Sequence, residues 1–208
     1  MRYKYPRTHH LPWSLGATDD DKTLSSDASF QGKEVIVSEK MDGESATLYS
    51  DYYHARSLDS ASHPSQSWLR QFHAGIRHQI PEAWRVCGEN LYAEHSISYE
   101  LPTYFLAFSI WERERCFSWD DTVECLNMLG IQHVPILYRG LYDAHLIKKC
   151  YTGVSQFGGT QEGYVVRLAS EFTLAEFPEA VAKFVRAQHV QTDTHWTRCW
   201  KPNKLKNL

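Results

Sequence analysis

The sequence predicts an α+β fold with largely antiparallel sheets, and three observations carry that prediction. Strand-like segments cluster, and helices interrupt them without the regular β-α-β alternation of a parallel sheet. No G-x-G-x-x-G follows a strand, and "GVSQFGGTQ" lacks the G-K-[ST] of a phosphate-cradling P-loop. No internal repeat or low-complexity linker divides the 208 residues. That length suits one substantial domain over 1–208, with an irregular leader at 1–32, a basic tail at 187–208 and no separate C-terminal domain.

The elements follow in order. Residues 1–32 read as irregular, punctuated by Pro6, Pro12, Gly16 and the acidic cluster Asp19-Asp20-Asp21. Strands are expected at 34–40, 45–50 and 52–57. Asp42-Gly43 between the first two signals a tight hairpin, because both residues tolerate positive φ. In 65–80, Trp68, Leu69, Phe72, Ile76 and Ile80 recur at helical spacing. "WRVCGENLYA" and "TYFLAFSIWE" read as strands, and strict alternation in the second puts Tyr104, Leu106, Phe108 and Ile110 on one face. Ser118 with Asp121 forms a capping-box start for a helix striped by Trp119, Val123, Leu126 and Leu129 and closed by Gly130. A helix over about 141–150, a strand at "EGYVVRL", a short helix at 174–180 and a final strand at "AVAKFVR" complete the chain.

Composition excludes several classes. An apolar fraction of 42% with 23% charged residues is that of a soluble globular protein. No apolar run approaches the ~20 residues of a membrane span. "MRYKYPRTHH" lacks the apolar stretch of a signal peptide, so a cytoplasmic protein without membrane contact is expected. Five widely spaced cysteines contain no C-x-x-C pair, and the eleven histidines show no convincing metal-ligand spacing. Net charge is −3, yet from Lys183 onward six basic residues face one acid, Asp193. Carrying Trp196 and Trp200, that tail reads either as a phosphate- and base-contacting arm or as a solvated terminus.

The chemistry-bearing pattern begins at "EKMDG", which places Glu39, Lys40, Asp42 and Gly43 at a strand end. K-x-D-G alone occurs by chance in roughly one chain of this length in twenty. Its company gives it force: "CGEN" with Glu89, "FLAFSIW" with Phe108, "QEGYVVR" with Glu162, and "AKFVR" with Lys183 and Arg186, each on an expected strand or strand end.

This ordered set resembles the covalent nucleotidyltransferases, and within them most closely the RNA ligase 2-type family of ATP-dependent RNA ligases. "KYPRTHHLPWSLGATDDD" also resembles the leader of small members of that family. The resemblance implies an ATP-grasp-like ligase adenylation fold, ATP as substrate, Mg2+ or Mn2+, and an RNA partner with broken or nicked ends, DNA remaining open. It implies that Lys40 is the nucleophile, whose pKa burial and neighbouring cations such as Lys183, or a bound metal, would lower. It further implies that Arg56 lies by the ribose or the reacting 3′ end. Glu89 would accept from the ribose 2′-hydroxyl, Phe108 stack on adenine, Glu162 hold the metal and Lys183 contact the α-phosphate. Glu39, Asp42, Gly43 and Arg186 complete the expected nucleotide site. The leader's Arg7, His10 and acidic cluster are expected to join the substrate surface.

Structural alternatives stand beside these roles. Phe108 fits a packed core, Glu94 competes with Glu89, Arg56 fits a surface position and Glu162 a turn. On an extended strand Glu162 would share the face of Tyr164 and Val166, with Arg167 opposite. Ser109 replaces an Asp found in many relatives, and K-F-V-R replaces K-x-K, which puts Arg186 one position off the spacing of a second phosphate-binding cation. Two other functions fit the same pattern: a capping-type guanylyltransferase using GTP, and a non-catalytic nucleic-acid-binding domain.

Overall fold

The computed structural model describes residues 1–58, 63–187 and 200–206. In chain order the elements are β1 (His9–His10), β2 (Glu34–Lys40), β3 (Glu44–Leu48), β4 (Tyr53–Ala55), α1 (Ser67–Ile76), β5 (Trp84–Asn90), β6 (Glu100–Leu101), β7 (Phe105–Glu112) and β8 (Arg115–Cys116). There follow α2 (Trp119–Met128), β9 (Ile136–Leu141), α3 (Ala144–Lys148), β10 (Gly163–Leu168), β11 (Phe172–Thr173), α4 (Phe177–Ala180), β12 (Val181–Val185) and β13 (Lys204–Leu205). One sheet runs β1-β12-β10-β2-β9, a second β11-β8-β7-β5-β3-β4, and β13 pairs with β6. Every long pairing is antiparallel, as the clustered strands predict.

Alternation sorts each sheet into an apolar and a polar face. On the first sheet Val35, Val37, Tyr164, Val166, Ala182 and Phe184 enter a core with Leu11, Phe30 and Ile147. The opposite face carries Ser38, Val165 and Lys183 in direct register, with Lys40 opposite Gly163. On the second sheet Ala46, Leu48, Val86, Phe105, Ala107 and Ile110 pack under Leu69 of α1, Leu126 of α2 and Leu129 just beyond it. Its other face carries the register pair Ser45 and Glu89. The two polar faces line a common cleft.

Four expectations are corrected here. Asp42-Gly43 does not close a hairpin: β2 and β3 belong to different sheets, and Gly43 is not among the positive-φ residues. Glycine is required there for close approach, since a Cβ would lie 2.7 Å from the Asn90 carbonyl oxygen and 2.7 Å from Leu91. Strict alternation fails in β7, because the β5 register passes from Ser109 to Ala107 and leaves Phe108 as the extra residue of a bulge. Ile110 therefore joins the core of Phe105 and Ala107, and Phe108 is freed from pairing. The leader is not wholly irregular: β1 adds a parallel edge strand on β12, with His10 opposite Lys183. The expected helix at 141–150 shrinks to α3, capped by Asp143 Oδ1 on the N–H groups of His145 and Leu146, because Ile136–Leu141 pairs with β2 as β9.

The N-cap of α2 forms as expected, with the Asp121 N–H donating to Ser118 Oγ at 3.1 Å, while the Asp121 carboxylate accepts from the Ser118 hydroxyl at 2.6 Å rather than from its N–H. Much of the basic tail, including Asp193, Trp196 and Arg198, lies outside the described residues. The described part, 200–206, is tied to the body: Asn203 is buried, accepts from the Tyr99 N–H at 2.8 Å and donates to the Leu91 carbonyl at 2.9 Å.

Candidate active site

The cleft has a volume of about 1190 Å³ and gathers motif residues far apart in the chain. Glu39, Lys40, Asp42, Gly43, Arg56, Glu89, Phe108, Glu162 and Lys183 all line it. Arg186 and Glu94 are not among its lining residues; Glu94 is 3.1 Å from the Lys201 ammonium.

At the centre Lys40 Nζ donates to Glu162 Oε1 at 2.6 Å. Lys40 is the last residue of β2, and Glu162 directly precedes β10, where Gly163 opposes Lys40. Glu162 thus lies one residue outside the strand, so it escapes the alternation that would have put it on the face of Tyr164. Tyr164 instead stacks on Phe184 and accepts from the Trp13 indole at 2.9 Å. The glycine that follows Glu162 has a steric reason: a Cβ on Gly163 would collide with the Phe184 carbonyl of β12. The Lys40 side chain is 26% exposed and that of Glu162 3%, so the amine is reachable while its counter-charge is buried.

Burial alone would lower the Lys40 pKa. The Glu162 carboxylate, helped by Glu89 and Asp42, outweighs it and holds the ammonium above the ordinary lysine value. Against the expected lowering, Lys40 therefore rests protonated. Lys183 behaves oppositely: burial lowers its pKa against the pull of Asp21, and the positive charges of Lys40 and Arg56 lower it further.

Carboxylates surround the pair. Burial pushes the Glu89 carboxyl up to about 8 despite Lys40, and Glu162, Asp42 and Glu44 add to the rise. A raised native value means the folded protein holds an extra proton between the ordinary carboxyl range and about 8. Stability from this group is then complete at acid pH and is lost as pH rises through that window. Thermal melts of wild type should fall from about pH 5 to about pH 8 more steeply than those of Glu89→Gln, by up to ~1.4 kcal/mol per pH unit. Parallel profiles would contradict this assignment.

Asp42 is held away from solvent by its own bonds. Its carboxylate accepts from the Ser96 N–H at 2.8 Å and the Ser96 hydroxyl at 2.6 Å, while its N–H donates to the Tyr99 hydroxyl at 3.0 Å. Glu39 accepts from the Gln156 N–H at 3.1 Å and so fixes the loop before β10. Phe108, re-aimed by its bulge, meets Tyr5 of the leader edge-on at 5.1 Å. Arg56 is exposed at the end of β4.

Other residues, including Arg167 at the end of the "QEGYVVR" motif, also shape the cleft. Arg167 shares the face of Gly163 and Val165, is buried, and donates to the carbonyls of Leu168 at 3.0 Å, Phe117 at 2.7 Å and Phe108 at 3.5 Å. It ties the first sheet to the bulge of the second. His95, Ser96, Val134 and Val165 also line the cleft. From the leader come Arg7, His10 and Asp21, whereas Asp19 and Asp20 are exposed and absent from the lining. Asp21 Oδ1 lies 3.7 Å from Lys183 Nζ, and its other oxygen accepts from the Thr18 N–H at 3.2 Å and hydroxyl at 2.9 Å. His10, 1% exposed, has its pKa lowered to about 4 by burial and then by Lys183, so it is neutral beside them.

Several carboxylates around one lysine amine can hold a divalent cation. Among the described residues no three metal-ligating side chains form a cluster by themselves. Mg2+ is usually held by one or two carboxylates, with the remaining positions left to phosphate and water.

Comparison with known proteins agrees with this fold. The sequence profile of the RNA ligase family matches residues 33–185. A Naegleria gruberi RNA ligase solved with PPi is 19% identical, with a TM-score of 0.55 over 76% of this chain and 51% of that one. A variant of the Naegleria enzyme solved with ATP and Mn is 16% identical, with a TM-score of 0.55 over 89% of this chain and 62% of that one. A protein described as an ATP-dependent DNA ligase from Aquifex aeolicus is 18% identical, with a TM-score of 0.56 over 88% and 50%. The chain thus spans between 50% and 62% of the length of these structures. No curated protein matches it at a significant level.

Proposed function

The chain belongs to the RNA ligase family, and from that premise we propose that it is an ATP-dependent RNA ligase working through a covalent lysyl-AMP on Lys40. The observation that carries the reading is the Lys40–Glu162 pair at 2.6 Å inside a cleft that also collects Glu89, Phe108, Arg56 and Lys183.

In the first step Lys40 Nζ, having lost a proton, attacks the α-phosphorus of ATP. The P–N bond forms as the bond to the β-phosphate oxygen breaks, and pyrophosphate leaves with the electron pair. In the second step a 5′-phosphate oxygen of RNA attacks the same phosphorus, the P–N bond breaks and the lysine recovers its proton. In the third a 3′-hydroxyl attacks the activated 5′-phosphate and loses its proton to water, AMP leaves with the electron pair of the broken P–O bond, and a phosphodiester forms. A divalent cation held by Glu162, with Glu89 facing it, would supply charge to the phosphate oxygens and replace Lys40 as the counter-charge of Glu162. Lys183 stabilises the charge that develops on the α-phosphate. Phe108 offers its ring to the base, with Val134 and Val165 as further apolar lining. Arg56, exposed at the cleft rim, meets the ribose or the 3′ end.

Intact mass after incubation with Mg2+ and either ATP or GTP tests the reading. One AMP added supports it; one GMP added would favour a capping-type guanylyltransferase. No adduct with either nucleotide, on protein shown to carry none beforehand, would leave a binding domain. Protein chemistry within the site gives a second test. Asp21 holds the Lys183 ammonium, so Asp21→Asn should slow lysyl-AMP formation about tenfold and move the alkaline limb of its pH–rate profile to lower pH, since Lys183 loses the carboxylate that opposes its burial. An unchanged limb would remove Asp21 from the mechanism.

A further inference from the structure

A second hollow, of about 390 Å³, lies between the edge strand β4 and α1, lined by Tyr52, Tyr53, Gln66, Arg70 and Arg77 among others. It adjoins the cleft at two points. β4 runs along it and ends beside Arg56, which lines the cleft. Gln66, on its wall, donates to Glu44 Oε1 at 2.9 Å, and Glu44 lines the cleft as well.

Its charge is one-sided. Residues 60–81 contain no Asp or Glu in a chain that has 25, yet they hold Arg70, Arg77 and three histidines. Exposed helical faces usually interleave both signs, so a solvated surface helix does not explain this stretch well. Arg70 and Arg77 are exposed, stand seven residues apart on one side of α1 and its terminal turn, and are separated by roughly 10 Å along the axis. Arg70 donates to the Tyr53 hydroxyl at 3.3 Å, which holds its guanidinium over the hollow. The acid in the lining, Asp51, is engaged by Arg2 at 3.5 Å.

We infer that this hollow is a phosphodiester track, in which Arg70 and Arg77 take backbone phosphates of the RNA strand whose end reaches Arg56. The inference rests on the RNA-ligase reading and extends it to the substrate. Planar guanidinium groups suit phosphate, and such groups position a strand without reading its sequence. For a single strand, removing one phosphate-binding cation lowers the dependence of log K on log salt by about 0.7.

The test measures binding of a short 5′-phosphorylated single-stranded RNA to full-length protein across a salt series, with mass measurement of AMP addition alongside. Arg70→Gln with Arg77→Gln should weaken binding roughly tenfold and reduce the salt slope by about 1.4, with AMP addition to Lys40 unchanged. Arg77→Gln alone, which keeps the Arg70–Tyr53 hydrogen bond, should give about half the slope change. Arg115→Gln, on β8 at the far end of the same sheet, controls for net charge and should alter neither. Groove variants that match wild type, or an equal loss in Arg115→Gln, would overturn the track while leaving the ligase reading intact. Wild-type protein that neither forms lysyl-AMP nor binds RNA would overturn both.

Discussion

Lys40→Ala is expected to remove the AMP adduct completely, leaving the intact mass of the protein unchanged after incubation with ATP and Mg2+ or Mn2+. A phosphoramidate needs the amine itself, and no neighbouring side chain can substitute for it at the end of β2. Alanine, however, also strips Glu162 of its counter-charge, and Glu162 is buried with 3% of its side chain exposed. Removing one partner of a buried pair costs about 3–5 kcal/mol in the extreme; the partial exposure of Lys40 puts the expected loss nearer 1–3 kcal/mol. Lys40→Arg separates the two effects. Its guanidinium keeps the charge opposite Glu162 but is protonated at every working pH and is no nucleophile. The arginine variant should therefore melt close to wild type and still carry no adduct. An AMP-bearing Lys40→Arg protein would move the nucleophile to another residue and defeat the proposed mechanism.

Glu162→Gln should produce two opposite changes in Lys40. Glu162 holds the Lys40 pKa above the ordinary lysine value against burial, so its neutralisation leaves burial to dominate and the pKa falls. Labelling of Lys40 by a general amine reagent should then begin at lower pH than in wild type, read by peptide mass across a pH series. Formation of lysyl-AMP should nevertheless fall by ~10²–10³-fold, because a carboxamide is a poor ligand for a hard cation and no longer helps to organise the triphosphate. A general-reagent profile unchanged by the mutation would show that the 2.6 Å hydrogen bond does not control the amine. Unimpaired lysyl-AMP formation would remove Glu162 from the nucleotide step.

Asp42-Gly43 has the composition of a hairpin turn, but the same two residues serve a crossing between sheets. Asp42 is engaged by Ser96 and Tyr99, and Gly43 lets the chain pass against Asn90. Turn propensity reports what a dipeptide tolerates; it does not report which partner the next strand finds. The β7 bulge has the same character. "TYFLAFSIW" alternates well on paper, and only pairing with β5 shows that one residue, Phe108, has been extruded towards the cleft. The leader looked irregular because its single strand is two residues long and pairs with β12, far along the chain. No local period could reveal that Asp21 stands 3.7 Å from Lys183.

What the sequence determined by itself is the class of structure and the order of the motifs that line the cleft. Periodicity of two and of 3.6 is written into neighbouring residues, because burial on one face needs only local spacing, so β2, β5, β7, β10, β12, α1 and α2 were legible. The ordered motifs around Lys40, Glu89, Phe108, Glu162 and Lys183 were legible for the same reason, each being a short string. Tertiary structure alone decided that β10 lies between β2 and β12, which brings Glu162 against Lys40, and that the leader closes over Lys183. It also decided the charge state of the amine. A pKa depends on burial and on charges within a few ångströms, and Lys40 and the carboxylate that governs it are separated by more than a hundred positions in the chain.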